Sequence, residues 1–300
     1  MKTLYFDCFS GISGDMVIGA LIDAGADPNR LIEELKKLQI EDEYELKWKK
    51  IVKNGITSTK FDVVLLNNPI HVRSHSDQDD HSHGHVHEHD HTHEPSQGHE
   101  PSQGHEHSHS HEHSHSHEHS HDHDHDHHHH HDHRAYKDIV KLIEGAGLDN
   151  SVKETALKIF KRIGEAEGLI HGIPLEKVHF HEVGAVDSII DIIGAAILIH
   201  QLDIDVIKSS PIPVGTGRIH IDHGIYPVPA PATLEILKGV PIDQSDIKAE
   251  LTTPTGAAII AVLAEEFCPI PSMRIKSIGY GAGTKTFKNH PNVLRIIIGE

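Results

Sequence analysis

The hydrophobic pattern divides the chain into two patterned blocks separated by a stretch with no pattern. Residues 2–6 (KTLYF) form a short apolar run that stops at Asp7, as a buried strand does. SGISGD then turns the chain into MVIGALIDAG, which predicts a helix capped near Ser13 or Asp15 and ended by Gly25. Asp27-Pro28 opens a second helix, PNRLIEELKKL, with proline where the first turn needs no N–H. In YELKWKKIVKNGITSTKFDVVLL, Tyr44, Leu46 and Trp48 and then Phe61, Val63 and Leu65 recur at every second position around Asn54-Gly55. That spacing predicts a two-residue β-hairpin.

Pattern returns after residue 133. AYKDIVKLIEGAG and NSVKETALKIFKRIGEAEG predict amphipathic helices, the second capped by Asn150 or Ser151. DSIIDIIGAAILIHQL is apolar on nearly every side and predicts a buried helix starting at Asp187. VIKSSPIPVGTG reads as a strand running into a Pro/Gly loop, APATLEILKG as a short helix, and TPTGAAIIAVLAEEF as a helix with Thr253 as N-cap. MRIKSIGYGAGTKTF and VLRIIIGE read as closing strands. Helices and strands mix without strict alternation, so the expected class is α/β or α+β, a mixed sheet with flanking helices.

The stretch between the blocks differs in composition. Residues 74–133 hold 26 histidines, 14 Asp or Glu, no Lys or Arg, and one aliphatic side chain, Val86. Such a segment has too little apolar surface to offset its ordering entropy and is expected to be disordered. It repeats with a six-residue period: EPSQGH at 94–99 and 100–105, EHSHSH at 106–111 and 112–117, EHSHDH at 118–123. No repeat has an apolar face to stack, so it reads as an expanded spacer. The expected organisation is an N-terminal α/β part (1–73), the His-rich insertion (74–133), and a main α/β part (134–300) packing with 1–73 as one globular unit. The insertion also carries most of the formal charge of −18, leaving an ordinary, mildly acidic surface elsewhere.

The remaining composition excludes several classes. No basic face interleaved with aromatics points to nucleic acid. The N-terminus lacks a signal-peptide apolar run, and the longest apolar stretch, residues 189–199, is broken by Asp191 and too short for a bilayer. Cys8 and Cys268 are the two cysteines, far apart and without a CxxC, which fits a reducing cytoplasm.

Candidate chemistry concentrates in KVHFHEVGAVDSIID. If 178–182 is extended, His179 and His181 project from one face with Glu182 adjacent, while Asp187 and Asp191 share a face at the positive end of a helix. Imidazoles beside carboxylates suit borderline divalent metals such as nickel or zinc; the bland alternative is a pair of strand-end histidines hydrogen-bonded to the carboxylates. His220 and His223 in GRIHIDHGIYPVPAPAT can line the same cleft or simply cap the Pro-rich loop. The glycine loops VGTGR (Gly215, Gly217, Arg218) and GYGAGTK (Gly281, Gly283, Lys285) pair free N–H groups with a basic side chain, as phosphate sites do. SGISGD, with Asp7, Ser10 and Asp15, is a third anion or metal-phosphate candidate; its plainer reading is a tight turn with a helix cap. Cys8 reads as a small buried residue. In the insertion, His105, His107, His109, His111, His113, His115, His117, His119, His121, His123, His125, His127, His128, His129, His130, His131 and His133 form a metal-binding run without fixed geometry, suited to a reservoir rather than to catalysis.

Taken together, FDCFSGISGDMVIGALIDAG, HFHEVGAVDSIIDIIG, PVGTGRIHIDHGIYPVPAPAT, ELTTPTGAAI and GYGAGTK…PNVLR resemble the LarC family of nickel insertion proteins (nickel chelatases), which complete the pincer cofactor of lactate racemase. The resemblance covers nearly everything except the insertion, and a His-rich insertion at this place is usual in that family. It implies a lyase-class chelatase, or cyclometallase, that inserts Ni(II) into pyridinium-3,5-bisthiocarboxylic acid mononucleotide, making two Ni–S bonds and one Ni–C bond, with CTP and Mg or Mn. Placed on the matching positions, it makes His179, His181, Glu182 and Asp187 transient nickel ligands and one of them the base, with Arg218, Lys285 and the glycine loops on the phosphate. It further implies a C-terminal CTP-binding domain beyond Glu300, sometimes made as a separate form, a lactate racemase-type apoenzyme as client, and a homo-oligomer. The rival reading is a non-catalytic nickel store or metallochaperone. A zinc hydrolase built on HFHE lacks the HEXXH spacing.

Overall fold

The computed structural model describes residues 1–66, 134–180, 186–221 and 224–300. The His-rich run, His181, Glu182 and His223 lie outside the described residues. The first block supplies β1 (Thr3–Asp7), α1 (Gly14–Asp23), α2 (Pro28–Leu35), β2 (Tyr44–Lys53) and β3 (Ile56–Leu65). Asp27 caps α2 by accepting from the Asn29 N–H at 2.9 Å, with Pro28 at the first helical position. Asn54 and Gly55 both take positive φ, 47° and 83°, which closes the β2–β3 hairpin with the twist that two-residue loops favour. The register sets Tyr44 opposite Leu65, Leu46 opposite Val63 and Trp48 opposite Phe61, so the alternating side chains read from sequence share one face.

The second block contributes α3 (Tyr136–Gly145), α4 (Asn150–His171), α5 (Val186–Gln201), β4 (Val206–Ser209), β5 (Ile212–Pro213), β6 (Arg218–Ile221), β7 (Gly224–Pro227), α6 (Pro231–Ile236), β8 (Ile242–Asp243), α7 (Pro254–Leu263), β9 (Glu266–Phe267), β10 (Ile275–Ala282) and β11 (Val293–Gly299). One expected cap moves. Asp149, not Asn150 or Ser151, caps α4 and accepts from the Ser151 N–H at 2.8 Å, because its extended backbone puts the carboxylate outside the first turn. Thr253 caps α7 as expected, its Oγ1 accepting from the Gly256 N–H at 3.2 Å.

Seven strands form a mixed sheet in the order β2-β3-β10-β11-β1-β4-β9. The class is α/β. Strand β1 sits inside the sheet, antiparallel to β11 on one side and parallel to β4 on the other, so chain from both blocks shares one hydrogen-bonded layer. Helix α1 lies on β10, with α5 packed against α1 and α4 against α5. In α5, Ile189, Ile190, Ile192, Ile193 and Leu198 are all fully buried, as its all-round apolarity demands. Among the described residues no helix is long and apolar enough to cross a membrane.

Gly281 explains why α1 can sit so close to β10. A Cβ there would lie 1.8 Å from the Met16 carbonyl oxygen, inside any allowed contact. Gly281→Ala is expected to destabilise the fold by about 2 kcal/mol or more, as overpacking does. Gly145→Ala, where nothing lies within 4 Å, is expected to stay within about 1 kcal/mol of the parent. Urea midpoints decide it, and equal midpoints for the two variants would contradict this packing.

Candidate functional site

Three helix N-termini converge on one cleft of about 470 Å³. Ser13, Gly14 and Asp15 come from the start of α1, Asp187, Ser188 and Asp191 from the first turns of α5, and Thr253, Pro254 and Thr255 from the start of α7. Backbone pairing sets the arrangement: Ile12 N–H donates to Leu251 O at 3.1 Å and Thr253 N–H returns to Ile12 O at 3.1 Å. Two glycines permit it. A Cβ on Gly256 would lie 2.1 Å from Ile12 O, and one on Gly14 would lie 2.4 Å from Asp191 Oδ2. The opposite wall is β3. It meets β10 at a single register position, Thr59 with Gly281, and residues 60–63 beyond it line the cleft. Ile219, His220 and Ile221 of β6, with Glu250 and Thr284, complete the rim.

The cleft is rich in carboxylates and poor in cations. Lys60 Nζ donates to Asp15 Oδ2 at 2.7 Å and to the Phe61 carbonyl at 2.8 Å, and it pairs with Asp62 Oδ1 at 2.8 Å. Burial works to lower the Lys60 pKa, but Asp15 and Asp62 outweigh it, and the ammonium is held more firmly than usual. Ser13 Oγ donates to Asp15 Oδ1. Asp191 receives the Asp15 backbone N–H, yet its Oδ1 is sealed from solvent with no hydrogen-bond partner. Burial, then the charges of Asp15 and Asp187, raise its pKa well above the carboxylate range, and Lys60 only partly counters them. Asp187 opens into the cleft and accepts from Ser188 N–H at 2.8 Å; burial raises its pKa too, against the pull of that hydrogen bond.

Of the residues singled out from sequence, the cleft gathers Asp15, Asp187, Asp191 and His220. Arg218 lies two residues before His220 on β6 and is exposed. Lys285 Nζ donates to Glu250 O at 3.1 Å, and Gly215 bridges Glu250, so both meet the rim. Gly217 follows at φ 102° beside Lys248. The others stand elsewhere. His179 is exposed and bridges Ala135, outside the cleft lining. Ser10 is fully buried and bonded to His290 Nε2 at 2.6 Å and to Pro291 O; Asp7 is paired with Arg295. Gly281 is occupied with the α1 contact, and Gly283 packs against the Asn292 side chain. Cys8 is a buried free thiol, its pKa pushed up to about 12 by burial. Sequence reading passed over Lys60, Asp62, Glu250 and Thr255. Lys60 and Asp62 sit in β3, Glu250 in a loop and Thr255 in the first turn of α7, and only tertiary closure brings them to the site. Among the described residues no three His, Cys, Asp or Glu side chains stand together as a ready metal cluster.

A carboxyl whose pKa is raised on folding destabilises the native state once ionised. For Asp191 the cost is absent below its unfolded pKa, about 3.9, grows as pH rises, and is complete above its folded pKa. Asp191→Asn is therefore expected to stabilise the fold by about 1 kcal/mol or more at pH 7, with the gain shrinking to nothing towards pH 4. Thermal midpoints of both proteins across that range test it; a gain that does not vary with pH rules out ionisation as its source.

No solved structure matches the chain. It is 46% identical over 300 residues to the pyridinium-3,5-bisthiocarboxylic acid mononucleotide nickel insertion protein of Geobacillus kaustophilus, covering 100% of this chain and 60% of that protein. The protein of the same name from Staphylococcus epidermidis is 43% identical over 296 residues, covering 99% of this chain and 59% of its own length. That of Clostridium kluyveri is 45% identical, covering 100% of this chain and 62% of its own. The chain thus spans about 60% of the length of such relatives. The family model described as nickel insertion protein matches residues 4–300, and the chain belongs to the nickel insertion protein family.

Proposed function

We propose that this chain inserts nickel into pyridinium-3,5-bisthiocarboxylic acid mononucleotide, building the nickel-pincer product in the cleft between α1, α5 and α7. The carrying observation is the family match through residues 4–300, together with relatives named for that substrate. The reaction sets two Ni–S bonds and one Ni–C bond and releases the ring proton at the carbon that joins nickel. The protein therefore has to seat the nucleotide, present the metal and accept a proton.

Nickel is the cargo here. Asp187, on the α5 wall of the cleft, and His220 on β6 both reach the cleft space and are its proposed transient ligands, with His181, Glu182 and His223 as further proposed ligands and His179, exposed outside the lining, as a surface ligand. Asp187 also suits the base, since burial raises its proton affinity. Arg218, Lys285, Gly215 and Gly217 at the rim are the proposed phosphate contacts. The imidazoles of the insertion serve as the nickel supply, and lactate racemase-type apoenzyme as the downstream client.

CTP, expected from the family resemblance, finds little charge support in the cleft lining itself: among the described residues the one lysine that lines it, Lys60, is already paired with Asp15 and Asp62.

The test is incubation of the purified chain with the bisthiocarboxylate nucleotide, Ni(II) and CTP. The nickel adduct is followed by mass spectrometry, with and without the remaining segment of a full-length relative supplied separately. Asp187→Asn is expected to slow adduct formation at least ~100-fold, the lower range for a lost general base. A chain lacking residues 74–133 is expected to keep its rate in ample nickel. No adduct under any of these conditions, alongside high nickel loading that vanishes with the insertion, would establish the storage reading instead.

A further inference from the structure

One lysine at the edge of the sheet is bonded unlike its neighbours. β2 is the outermost strand and bears Lys47, Lys49, Lys50 and Lys53. Lysines on an edge ordinarily reach into water and blunt the strand against stray pairing. Lys47 pairs with Glu45 and Lys50 with Asp23, as surface ammonium groups do. Lys53, the last residue of β2, turns instead towards the chain between β10 and β11. Its Nζ donates to Thr284 O at 3.4 Å, to Lys285 O at 3.1 Å and to Thr286 Oγ1 at 3.0 Å. An ammonium has three donors, so all of them are spent on successive residues of one segment. Burial, then the charge of Lys60, lower the Lys53 pKa, so the ammonium stands there against an electrostatic cost.

That segment builds part of the cleft rim. Thr284 lines the cleft, and Lys285 Nζ donates to the carbonyl of Glu250, another lining residue. The Lys285 carbonyl is gripped from a second side by Asn292 Nδ2 at 2.9 Å. Asn54, in the turn after Lys53, donates through Nδ2 to Lys288 O at 3.2 Å. Asn292 is itself buried, and its carbonyl accepts the Gly283 N–H at 3.0 Å. The peptide carrying Lys285 is thereby fixed between the hairpin turn and the start of β11. A long side chain on a loose loop spreads its charged end over a wide volume. On an anchored backbone the same group is preorganised, and less freedom is lost when a ligand binds. One of the three Lys285 donors goes to Glu250 O, and the others can meet an anion at the rim.

We propose that Lys53 is a positioning residue for substrate binding: from the hairpin turn it holds the backbone of residues 284–286 so that Lys285 meets the phosphate of the mononucleotide. This rests on the phosphate contact proposed for Lys285 above. Lys53 touches no substrate, since its donors are taken. The β2–β3 hairpin then serves the cleft twice, with residues 60–63 of β3 in the wall and its turn bracing the rim. In the sequence Lys53 reads as one more surface lysine, because Thr284 lies 231 positions away.

The test is calorimetric titration of the purified chain with pyridinium-3,5-bisthiocarboxylic acid mononucleotide and with its phosphate-free riboside, without nickel or CTP. The parent is expected to bind the mononucleotide about tenfold or more tightly than the riboside, as charged hydrogen bonds to phosphate allow. Lys285→Ala and Lys53→Met are each expected to weaken the mononucleotide by roughly fivefold or more and to leave the riboside within about twofold. Lys53→Arg keeps the donors and is expected to stay within about twofold of the parent for both ligands. The double variant Lys53→Met/Lys285→Ala is expected to bind no more weakly than Lys285→Ala, because both changes act through one contact. Circular dichroism confirms that each variant folds. Parental affinity in Lys53→Met beside a weakened Lys285→Ala overturns the positioning role and leaves the phosphate contact standing. Equal losses for the two ligands, or no recovery in Lys53→Arg, reduce Lys53 to a support of the fold and overturn the role as well. A parent that does not favour the mononucleotide, or a Lys285→Ala of parental affinity, overturns the phosphate contact itself, and the positioning role falls with it.

Discussion

Three helix starts can share one cleft only where their first turns approach their neighbours too closely for a side chain at the contact. At Gly256 the first turn of α7 comes against the carbonyl of Ile12, and at Gly14 the first turn of α1 comes against the Asp191 carboxylate. Any larger residue at either place would bring its Cβ within 2.4 Å of an atom already there, so a helix or the facing side chain would have to shift. The same constraint recurs one layer down, where Gly281 lets α1 settle on β10. The cleft is therefore a consequence of close packing in the body, and its shape is as rigid as the helices that make it.

That rigidity holds charges in place against their own repulsion. Asp15, Asp187 and Asp191 are kept within range of one another by two helices that gain their stability elsewhere, from the buried isoleucines of α5 and the sheet contacts of α1. Left to itself, a surface carrying these carboxylates would spread or recruit more lysines. Natural folds tolerate such local cost chiefly where a ligand repays it, and perturbed carboxylates in a cleft are a mark of functional sites. Lys60 shows the compensation to be partial: it secures Asp15 and Asp62 and leaves the α5 pair to the cleft.

The elements were largely legible because each rests on local chemistry. The Asn54-Gly55 hairpin, the Asp27-Pro28 and Thr253-Pro254 helix starts, the buried α5 and the closing strands β10 and β11 all follow from residues within a few positions of one another. The α4 cap was misplaced by one residue, since Asp149, Asn150 and Ser151 are all good caps and only the backbone conformation chooses among them. Two of the site's carboxylates were also legible, because Asp187 and Asp191 recur at the helical spacing. The glycine motifs were less telling. Gly281 looks like part of an anion loop in sequence, yet its missing side chain serves helix packing. A glycine records that space is tight without saying what fills it.

Sequence alone determined most of the longer strands and helices, a mixed sheet with flanking helices and, through five separated blocks of residues, the family. Those are properties of short segments, whose dihedral preferences and apolar spacing act over one or two turns. The strand order, the placing of β1 between β11 and β4, and the meeting of Lys60 with Asp15 were decided only by the tertiary structure. Lys60 and Asp15 stand 45 positions apart, and Asp15 and Asp191 lie on helices from different blocks of the chain. No local preference links them. They meet because burying the apolar faces of α1 and α5 against one another leaves both helix starts pointing into the same gap.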